Sequence, residues 1–262
     1  MFDTAPALHT DLYTLTMAQS FWKRGRNDLV TFELFVRSLP QGHAFLMAAG
    51  LEDALGYLES LRFTREQIDY LGALPAADGN ARLFDAGFLG FLASLSFTGE
   101  VVAVPDGTVI TAQVPILRVT APRIQASIVE SALLSIINFS TRIATTAAGA
   151  VLAADGRHVL DMALRRLDGP EGAVTVARSS YLAGFAGTAV PAAAMRLGIP
   201  VFGTMAHHYV MSYGEDHEQQ AFEDFLGDYP HGTTLLVDTY DTLRGVRRAI
   251  AASQATGVAL KA

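Results

Sequence analysis

The chain has 262 residues, a formal net charge of -7, half of its residues apolar, 17% charged, and no cysteine. The length allows one or two folded domains, and the apolar composition argues against long disordered tails. The negative net charge argues against an extended nucleic-acid surface, but it allows a local phosphate pocket. The absence of cysteine excludes disulfides, thiolate catalysis and cysteine-based zinc sites.

The N-terminal segment does not have the pattern of a targeting sequence. Residues 1–25 carry acidic and polar side chains where a signal peptide needs a basic flank and a continuous apolar run. No stretch of the chain reaches the roughly 18 unbroken apolar residues that are typical of a membrane helix. We therefore expect a soluble, cytoplasmic protein.

The first part of the chain, 1–122, mixes helix and strand patterns and predicts an N-terminal α+β domain. Thr10 or Asp11 is the expected cap, and Gly25 the stop, of a first helix. A half-buried strand is predicted over 30–38, where apolar and polar residues alternate. Further helices are predicted over 46–61, 64–74 and 85–95. Short β-rich runs broken by proline and Asp-Gly over 99–122 predict a β-hairpin module that closes this domain.

The second part, 123–262, has a different pattern. A long helix is predicted over 124–154, and strands then alternate with helices. The predicted strands are 158–164, 200–205, 233–239 and 257–262, and the predicted helices are 171–186, 217–229 and 241–256. This alternation indicates parallel βαβ units with right-handed crossovers. A closed barrel needs about eight strands. The roughly four predicted strands therefore indicate an incomplete α/β barrel, with the chain ending in the middle of it.

Three of these strands end on different chemical groups, which are the Arg165-Arg166 pair, His207 and Asp238. Carboxyl ends of parallel strands lie on one face, where ligands bind. The pattern therefore predicts one site that combines guanidinium, imidazole and carboxylate groups.

Each group also has a plainer interpretation. The arginines can hold a carboxylate or phosphate, or form a surface ion pair with Asp168 or Glu171. His207 can be a nucleophile, an acid-base group or a metal ligand, or a hydrogen-bonded loop histidine. A zinc site made of His207, His208 and His217 has no recognised ligand spacing. Asp238 can orient a histidine or approach a metal, whereas Asp241 is the expected cap of the helix that begins near Thr242.

Eight longer segments carry more information than these single residues: TDLYTLTMAQSFW, FELFVRSLPQGHAFLMAAGLEDAL, GEVVAVPDGTVI, PILRVTAP, IINFSTRIAT, ALRRLDGPEGA, GIPVFGTMAHHYVMSYG and TTLLVDTYDT. In this order they resemble the N-terminal half of the nicotinate phosphoribosyltransferase family, over essentially the whole chain. The resemblance implies an α/β fold, with an N-terminal α+β domain followed by the first part of a parallel α/β barrel of the nicotinate/quinolinate phosphoribosyltransferase type.

The resemblance also implies an activity. It is the ATP-assisted condensation of nicotinate with phosphoribosyl pyrophosphate, which gives nicotinate mononucleotide and pyrophosphate in NAD salvage, with Mg2+ accompanying the phosphates. In the family a histidine is phosphorylated by ATP, and the GTMAH segment places it at His207. Asp238 is expected to orient that imidazole or to support the Mg-diphosphate.

Substrate contacts are implied in the same way. Arg165 matches the contact to the pyridine carboxylate, and a guanidinium fork suits a planar carboxylate. Thr188 lies in a segment expected to bind substrate. Tyr13 matches a residue that stacks on the pyridine ring from the neighbouring subunit, although it can equally be a packing residue of an amphipathic helix. Arg37 matches a phosphate-channel residue, so we expect a homodimer with shared active sites.

Several positions depart from the family pattern. Met162 and Ala163 replace an aromatic residue and a glycine, and Ala189 and Val190 replace two hydrogen-bonding residues. Thr146 and Gly149 occupy positions where lysine and arginine are frequent. These departures keep a second substrate class open, namely nicotinamide or another heterocycle.

The expected position of the chain end within the barrel supports another alternative. The chain would then be a non-catalytic paralogue, or one half of a split enzyme that needs a partner chain and exposes a parallel strand edge at 257–262. We expect the isolated chain not to bind phosphoribosyl pyrophosphate productively.

Overall fold

The computed structural model describes residues 6–77 and 79–260, which are mainly helical. They form two compact units, Met1–Val201 and Phe202–Ala262. The division between residues 122 and 123 stays a prediction, because the first compact unit extends to Val201.

The first unit contains a three-stranded antiparallel sheet. Its strands are β1 (Leu29–Phe35), β3 (Glu100–Ala103) and β5 (Pro115–Pro122), in the order β1-β5-β3. β5 pairs with β1 from Leu29↔Pro122 to Leu34↔Leu117, and with β3 on its other side. Two shorter strands, β2 (Leu46–Met47) and β4 (Val109–Ile110), pair separately. The β-rich segment 99–122 therefore contributes strands to two sheets, and β5 is the central strand of the larger one.

Four helices accompany this sheet: α1 (Leu12–Lys23), α2 (Leu51–Glu59), α3 (Arg65–Ala73) and α4 (Ala86–Ala93). α1 ends before Gly25, whose φ of 63° fits the predicted stop. The N-cap of α1 is Asp11, whose carboxylate accepts a hydrogen bond from the Ser131 hydroxyl at 2.5 Å and makes no cap bond.

The helix predicted over 46–61 is wrong in its first turn. Residues 46–47 form β2, and α2 begins at Leu51. The break occurs at Gly50, which has a φ of 103°, in the left-handed region that favours glycine. A Cβ at Gly50 would also lie 2.9 Å from the Ser140 side chain.

The long helix α5 (Arg123–Ala154) follows β5 directly and has 32 residues. It is long and apolar enough to cross a membrane, by length and composition only. Many of its apolar side chains are buried in the core of the first unit, including Ile124, Ile128 and Leu133. About 39% of its most apolar window is buried within the chain, and the core helix of a globular protein can have the same length and composition as a membrane helix.

The first unit continues through β6 (Leu160–Asp161), α6 (Ala173–Leu182), β7 (Gly187–Thr188) and α7 (Pro191–Leu197). β6 and β7 pair in parallel, and Thr188 forms a further parallel bridge to Val201. A parallel βαβ connection is therefore present, but it runs from β6 through α6 to β7, whereas the sequence pattern predicts the next strand at 200–205 and neither β7 nor α7. Arg178 fastens α6 to earlier segments by donating to Asp106 at 2.9 Å and to Glu52 at 2.7 Å.

The second unit contains α8 (His207–Tyr213), α9 (Glu218–Asp228) and α10 (Thr242–Thr256). They pack around a small core of Val210, Phe222, Leu226, Ala249 and Ala252. Asp241 caps α10, since its carboxylate accepts a hydrogen bond from the Arg244 amide at 2.8 Å, which confirms the predicted cap.

Most of the strand length predicted after α5 is absent from the described residues. Only 160–161 of the segment 158–164 is strand, 200–205 contributes one bridge, and neither 233–239 nor 257–260 is strand. Residues 261–262 lie outside the described part. A strand is defined by the hydrogen bonds of a neighbouring ladder, and within the described residues the apolar runs 233–239 and 257–260 have none.

Candidate active site

Two predicted site residues, Arg165 and Thr188, lie at or shortly after the ends of β6 and β7 in the first unit. The parallel register places Asp161 opposite Thr188, so both strands end at the same edge. β6 continues through Ala163 into a single 3-10 turn, Leu164–Arg166. The segments that contain Arg165 and Thr188 therefore lie next to each other.

The hydrogen bonds at this edge are made by a buried carboxylate. Asp161 is only 4% exposed. One of its oxygens accepts a hydrogen bond from the Ala163 amide at 2.9 Å, and the other accepts one from the Thr188 hydroxyl at 2.7 Å. The Thr188 oxygen in turn accepts a hydrogen bond from the Val190 amide at 3.1 Å. Sequence reasoning misses Asp161 because this residue lies in the middle of the predicted strand 158–164, whereas the structure ends β6 at Asp161.

Arg165 and Arg166 are exposed side chains on the 3-10 turn. Within residues 6–77 and 79–260, neither forms an ion pair, so the plainer interpretation with Asp168 or Glu171 is not what this structure contains. The guanidinium group of each residue is therefore available to an anion from solvent.

The replacement of a glycine by Ala163 causes no backbone strain. Ala163 has φ -84° and ψ -14°, an ordinary right-handed conformation that any residue adopts. The turn that carries Arg165 thus forms without a glycine at this position.

A second group lies in the second unit, at the start of α8. His207 is exposed, and its Nδ1 lies 3.3 Å from the Thr239 hydroxyl. Asp238, also exposed, immediately precedes Thr239. The structure thus brings His207 next to the segment that carries Asp238, but the contact is to Thr239, which sequence reasoning missed because nothing distinguished it from nearby polar residues.

The helix that begins with His207 is fastened to α9 by aromatic side chains. The Tyr213 hydroxyl lies 3.2 Å from the Tyr209 hydroxyl and donates to Asp224 at 3.0 Å. The pKa of Tyr213 is raised above its usual value. The hydrogen bond with Tyr209 is the largest cause, and the hydrogen bond with Asp224 is the next largest. Tyr213 therefore links the end of α8 to α9 through its hydrogen bond to Asp224.

Tyr13 and Arg37 lie elsewhere in the first unit. Tyr13 is 54% exposed on α1 and so is not a buried packing residue in this chain. Arg37 is exposed after β1, and its carbonyl accepts a hydrogen bond from the Gln113 side chain at 2.6 Å. The convergence of Arg165, His207 and Asp238 at one rim stays a prediction, because these residues belong to two units.

Two cavities, of about 600 and 790 Å³, lie along β1 and α5. None of the predicted site residues lines either cavity. The larger one has polar side chains among its lining, including His43, Asn138 and Arg142.

A metal site is not evident in the described part of the chain. Over residues 6–77 and 79–260, no group of three or more histidine, aspartate or glutamate side chains is arranged to hold a metal ion. Mg2+ commonly keeps several water ligands and binds through one or two carboxylates together with substrate phosphates, an arrangement that needs no such group.

Comparison with known proteins identifies the family. A family model for the N-terminal domain of nicotinate phosphoribosyltransferase matches residues 8–138. A nicotinate phosphoribosyltransferase of Mycobacterium tuberculosis is 46% identical over 251 residues, covering 96% of this chain and 52% of the relative. The chain belongs to the nicotinate phosphoribosyltransferase family. The nicotinate phosphoribosyltransferase of Bacillus subtilis is 36% identical over 257 residues, covering 97% and 50% of the two chains. The chain spans about half the length of these relatives.

Solved structures support the same family fold. The crystal structure of human nicotinic acid phosphoribosyltransferase matches with a TM-score of 0.82 at 28% identity, covering 96% of this chain and 59% of that one. A nicotinate-nucleotide pyrophosphorylase from Pyrococcus furiosus matches with a TM-score of 0.73 at 21% identity, covering 95% and 54%, which shows a shared fold alone. The predicted fold class, an N-terminal α+β domain followed by the start of a parallel α/β barrel, is confirmed.

Proposed function

We propose that this family member acts in nicotinate phosphoribosyl transfer, the formation of nicotinate mononucleotide and pyrophosphate from nicotinate and phosphoribosyl pyrophosphate in NAD salvage. The observation that carries the proposal is the 46% identity to the mycobacterial nicotinate phosphoribosyltransferase across 96% of the chain. That span includes the exposed Arg165 and His207.

Arg165 is the proposed contact to the carboxylate of nicotinate. Its guanidinium has no ion-pair partner among the described residues, and a planar fork matches a planar carboxylate with two parallel hydrogen bonds. The pyridine nitrogen then attacks the ribose carbon with its own lone pair as pyrophosphate leaves. This step needs positioning and charge stabilisation rather than a general base.

His207 is the proposed phosphorylation site. If Nδ1–H donates to the Thr239 hydroxyl, the lone pair of Nε2 is free to attack the γ-phosphorus of ATP. The bond from that phosphorus to the ADP oxygen breaks, so ADP leaves with its electron pair and the phosphoryl group remains on Nε2. Asp238, next to Thr239, is proposed to support the diphosphate end, where Mg2+ arrives with the substrates.

The proposal includes a homodimer whose active sites combine two chains, in which Tyr13 and Arg37 reach the site of the neighbouring subunit. Their exposure on the first unit supports this assignment. A cytoplasmic location belongs to the same proposal.

Phosphate transfer from ATP gives a direct test. With γ-labelled ATP, the purified chain should gain an acid-labile label that is lost in His207→Ala and kept in His208→Ala, the exposed neighbour. A label that survives in His207→Ala would contradict the assignment.

Titration calorimetry tests the substrate class. Nicotinate should bind more tightly than nicotinamide, by roughly tenfold or more for a charged bidentate contact, and Arg165→Ala should abolish the preference. The exposed Arg157 provides a control, since Arg157→Ala should retain it. Equal binding of both compounds would instead favour a phosphoribosyltransferase for another heterocycle.

The split-enzyme alternative, in which the chain works only together with a second polypeptide, has a test of its own. The chain spans about half of each curated relative. Co-expression with the remaining half of the mycobacterial relative should then produce nicotinate mononucleotide, which the chain alone would not. Turnover by the chain alone would exclude this alternative.

A further inference from the structure

Asp161 is a buried carboxylate without an ionic partner. It is 4% exposed, and within residues 6–77 and 79–260 no cationic side chain forms an ion pair with it. Burial of a carboxylate is unfavourable unless hydrogen bonds replace its hydration. Its presence therefore needs an explanation in the contacts that it makes.

Those contacts join the ends of two parallel strands. The carboxylate accepts hydrogen bonds from the Ala163 amide and the Thr188 hydroxyl, and the Asp161 carbonyl accepts one from the Ala189 amide at 2.7 Å. Through the Val190 amide, the same network reaches the residue before α7. One side chain thus fixes the backbone where β6 and β7 both end.

The Ala163 contact determines the start of the turn that carries Arg165. Ala163 is the N-cap residue of the 3-10 turn Leu164–Arg166, and its carbonyl accepts a hydrogen bond from the Arg166 amide at 2.7 Å. A fixed Ala163 amide therefore fixes the direction in which the turn presents Arg165.

The partners also explain why the residue is an acid. A carboxylate only accepts hydrogen bonds, and both groups that face its oxygens are donors. Asparagine has the same shape but would direct an NH2 group at one of these donors. The Thr188 hydroxyl is engaged on both its donor and acceptor sides, so it is poorly placed to contact a ligand.

We propose that Asp161 is a positioning residue for nicotinate recognition that acts through Arg165, and that the Thr188 hydroxyl is its second anchor rather than a substrate contact. The role in recognition rests on the proposed function. The role in holding the turn depends only on the contacts within the first unit.

The first test follows the turn itself in the full 262-residue chain without ligand. Amide hydrogen exchange of 162–167 and 188–190 should become about tenfold faster in Asp161→Asn and in Thr188→Val, while α5 is unaffected. Thr188→Ser retains the hydroxyl, and Asp168→Asn removes an exposed acid from the same loop, so both should exchange like the unaltered chain. Because Thr188→Val is nearly isosteric, it keeps the test valid if Asp161→Asn fails to fold. Unchanged exchange in Thr188→Val would overturn the inference.

The second test is a double-mutant cycle on nicotinate affinity. Asp161→Asn should raise the nicotinate Kd about tenfold in the unaltered chain, but less than about twofold in an Arg165→Ala background. An equal effect in both backgrounds would show that Asp161 does not act through Arg165. If the unaltered chain does not bind nicotinate, the proposed function fails together with the recognition part of this inference, and hydrogen exchange alone decides whether Asp161 holds the turn.

Discussion

Asp28 and Arg123 form an ion pair that joins the segment before β1 to the first residue of α5. Two guanidinium nitrogens of Arg123 lie 3.2 and 2.6 Å from the two Asp28 oxygens. The side-chain hydrogen bond to Arg123 lowers the pKa of Asp28 below its ordinary value of 3.8. A carboxyl with a lowered pKa stabilises the folded state in its charged form.

The resulting prediction is a pH dependence. The stability advantage of the unaltered chain over Asp28→Asn should be fully present above the ordinary carboxyl pKa, and should disappear as the pH falls through the lower pKa of the folded state. Urea unfolding midpoints of the two chains, measured from about pH 7 down to the lowest pH at which both still fold, give this difference. In an Arg123→Met background the dependence should vanish, and its persistence would show that another group is responsible.

Single residues differ in how far the sequence predicts their roles. Asp241 is identified correctly as a cap because its bond to the Arg244 amide spans three residues. Thr188 is bound by Asp161, which is 27 residues away and meets it only through the register of β6 and β7. Local rules cannot specify such a register, so Asp161 was not predicted as a site residue.

At the scale of elements, Gly245 lets α10 lie against the segment that carries Asp238. A Cβ at this position would lie 2.0 Å from the Val237 carbonyl oxygen. Gly227 in α9 has no such neighbour within 4 Å and provides a matched control.

Gly245→Ala should destabilise the second unit by about 1–3 kcal/mol, because the backbone of 237–239 has to move. It should also weaken labelling of His207, whose ring contacts Thr239. Gly227→Ala should instead stabilise its helix by about 0.5–1 kcal/mol. Thermal unfolding and the labelling assay check both effects, and equal behaviour of the two variants would disprove the close approach.

A second element-scale prediction concerns the pairing of α9 with α10. Arg248 donates to Glu218 at 2.9 Å, and Glu218 is fully buried. Arg248→Met leaves that carboxylate without its cation and should cost about 3–5 kcal/mol. Arg244 pairs with the exposed Glu215, so Arg244→Met should cost at most about 1 kcal/mol. Denaturant unfolding compares the two, and a similar cost for both would argue against a special role for the buried pair.

The longer helices are easier to predict than the strands, for a physical reason, whereas the short helices α7 and α8 are missed. The helices α3, α5, α9 and α10 lie close to their predicted bounds, because helical periodicity and capping act within one segment. The segment 233–239 is apolar like a parallel strand, yet it makes no ladder and its Val237 packs close to Gly245. Whether an apolar run becomes a strand depends on its neighbours.

At the scale of the whole molecule, the two compact units differ in the size of their cores. The main cluster of the first unit includes large buried side chains from α2, α4 and α5, among them Tyr57, Phe88 and Ile128. The core of the second unit consists mainly of Val210, Phe222 and Leu226 with two alanines. Small cores are only marginally stable.

We therefore expect 202–262 to unfold at a lower urea concentration than the first unit. Hydrogen exchange measured by mass spectrometry should show amides of α9 and α10 losing protection before those of α5. A single transition that coincides for all three helices would contradict this prediction. Sequence patterns did not predict a division after Val201, since the alternation of strands and helices continues across it.

The antiparallel pairing of β1 with β5 has a consequence for synthesis of the chain. Phe35 at the end of β1 pairs with Pro115 at the start of β5, so the first strand has no partner until about 80 further residues have been synthesised. During that interval β1 presents Phe32 and Phe35, both partly solvent-accessible even in the finished fold, to any other nascent polypeptide. Slowing translation between β1 and β5 should therefore lower the soluble yield, whereas slowing it after α5 should not.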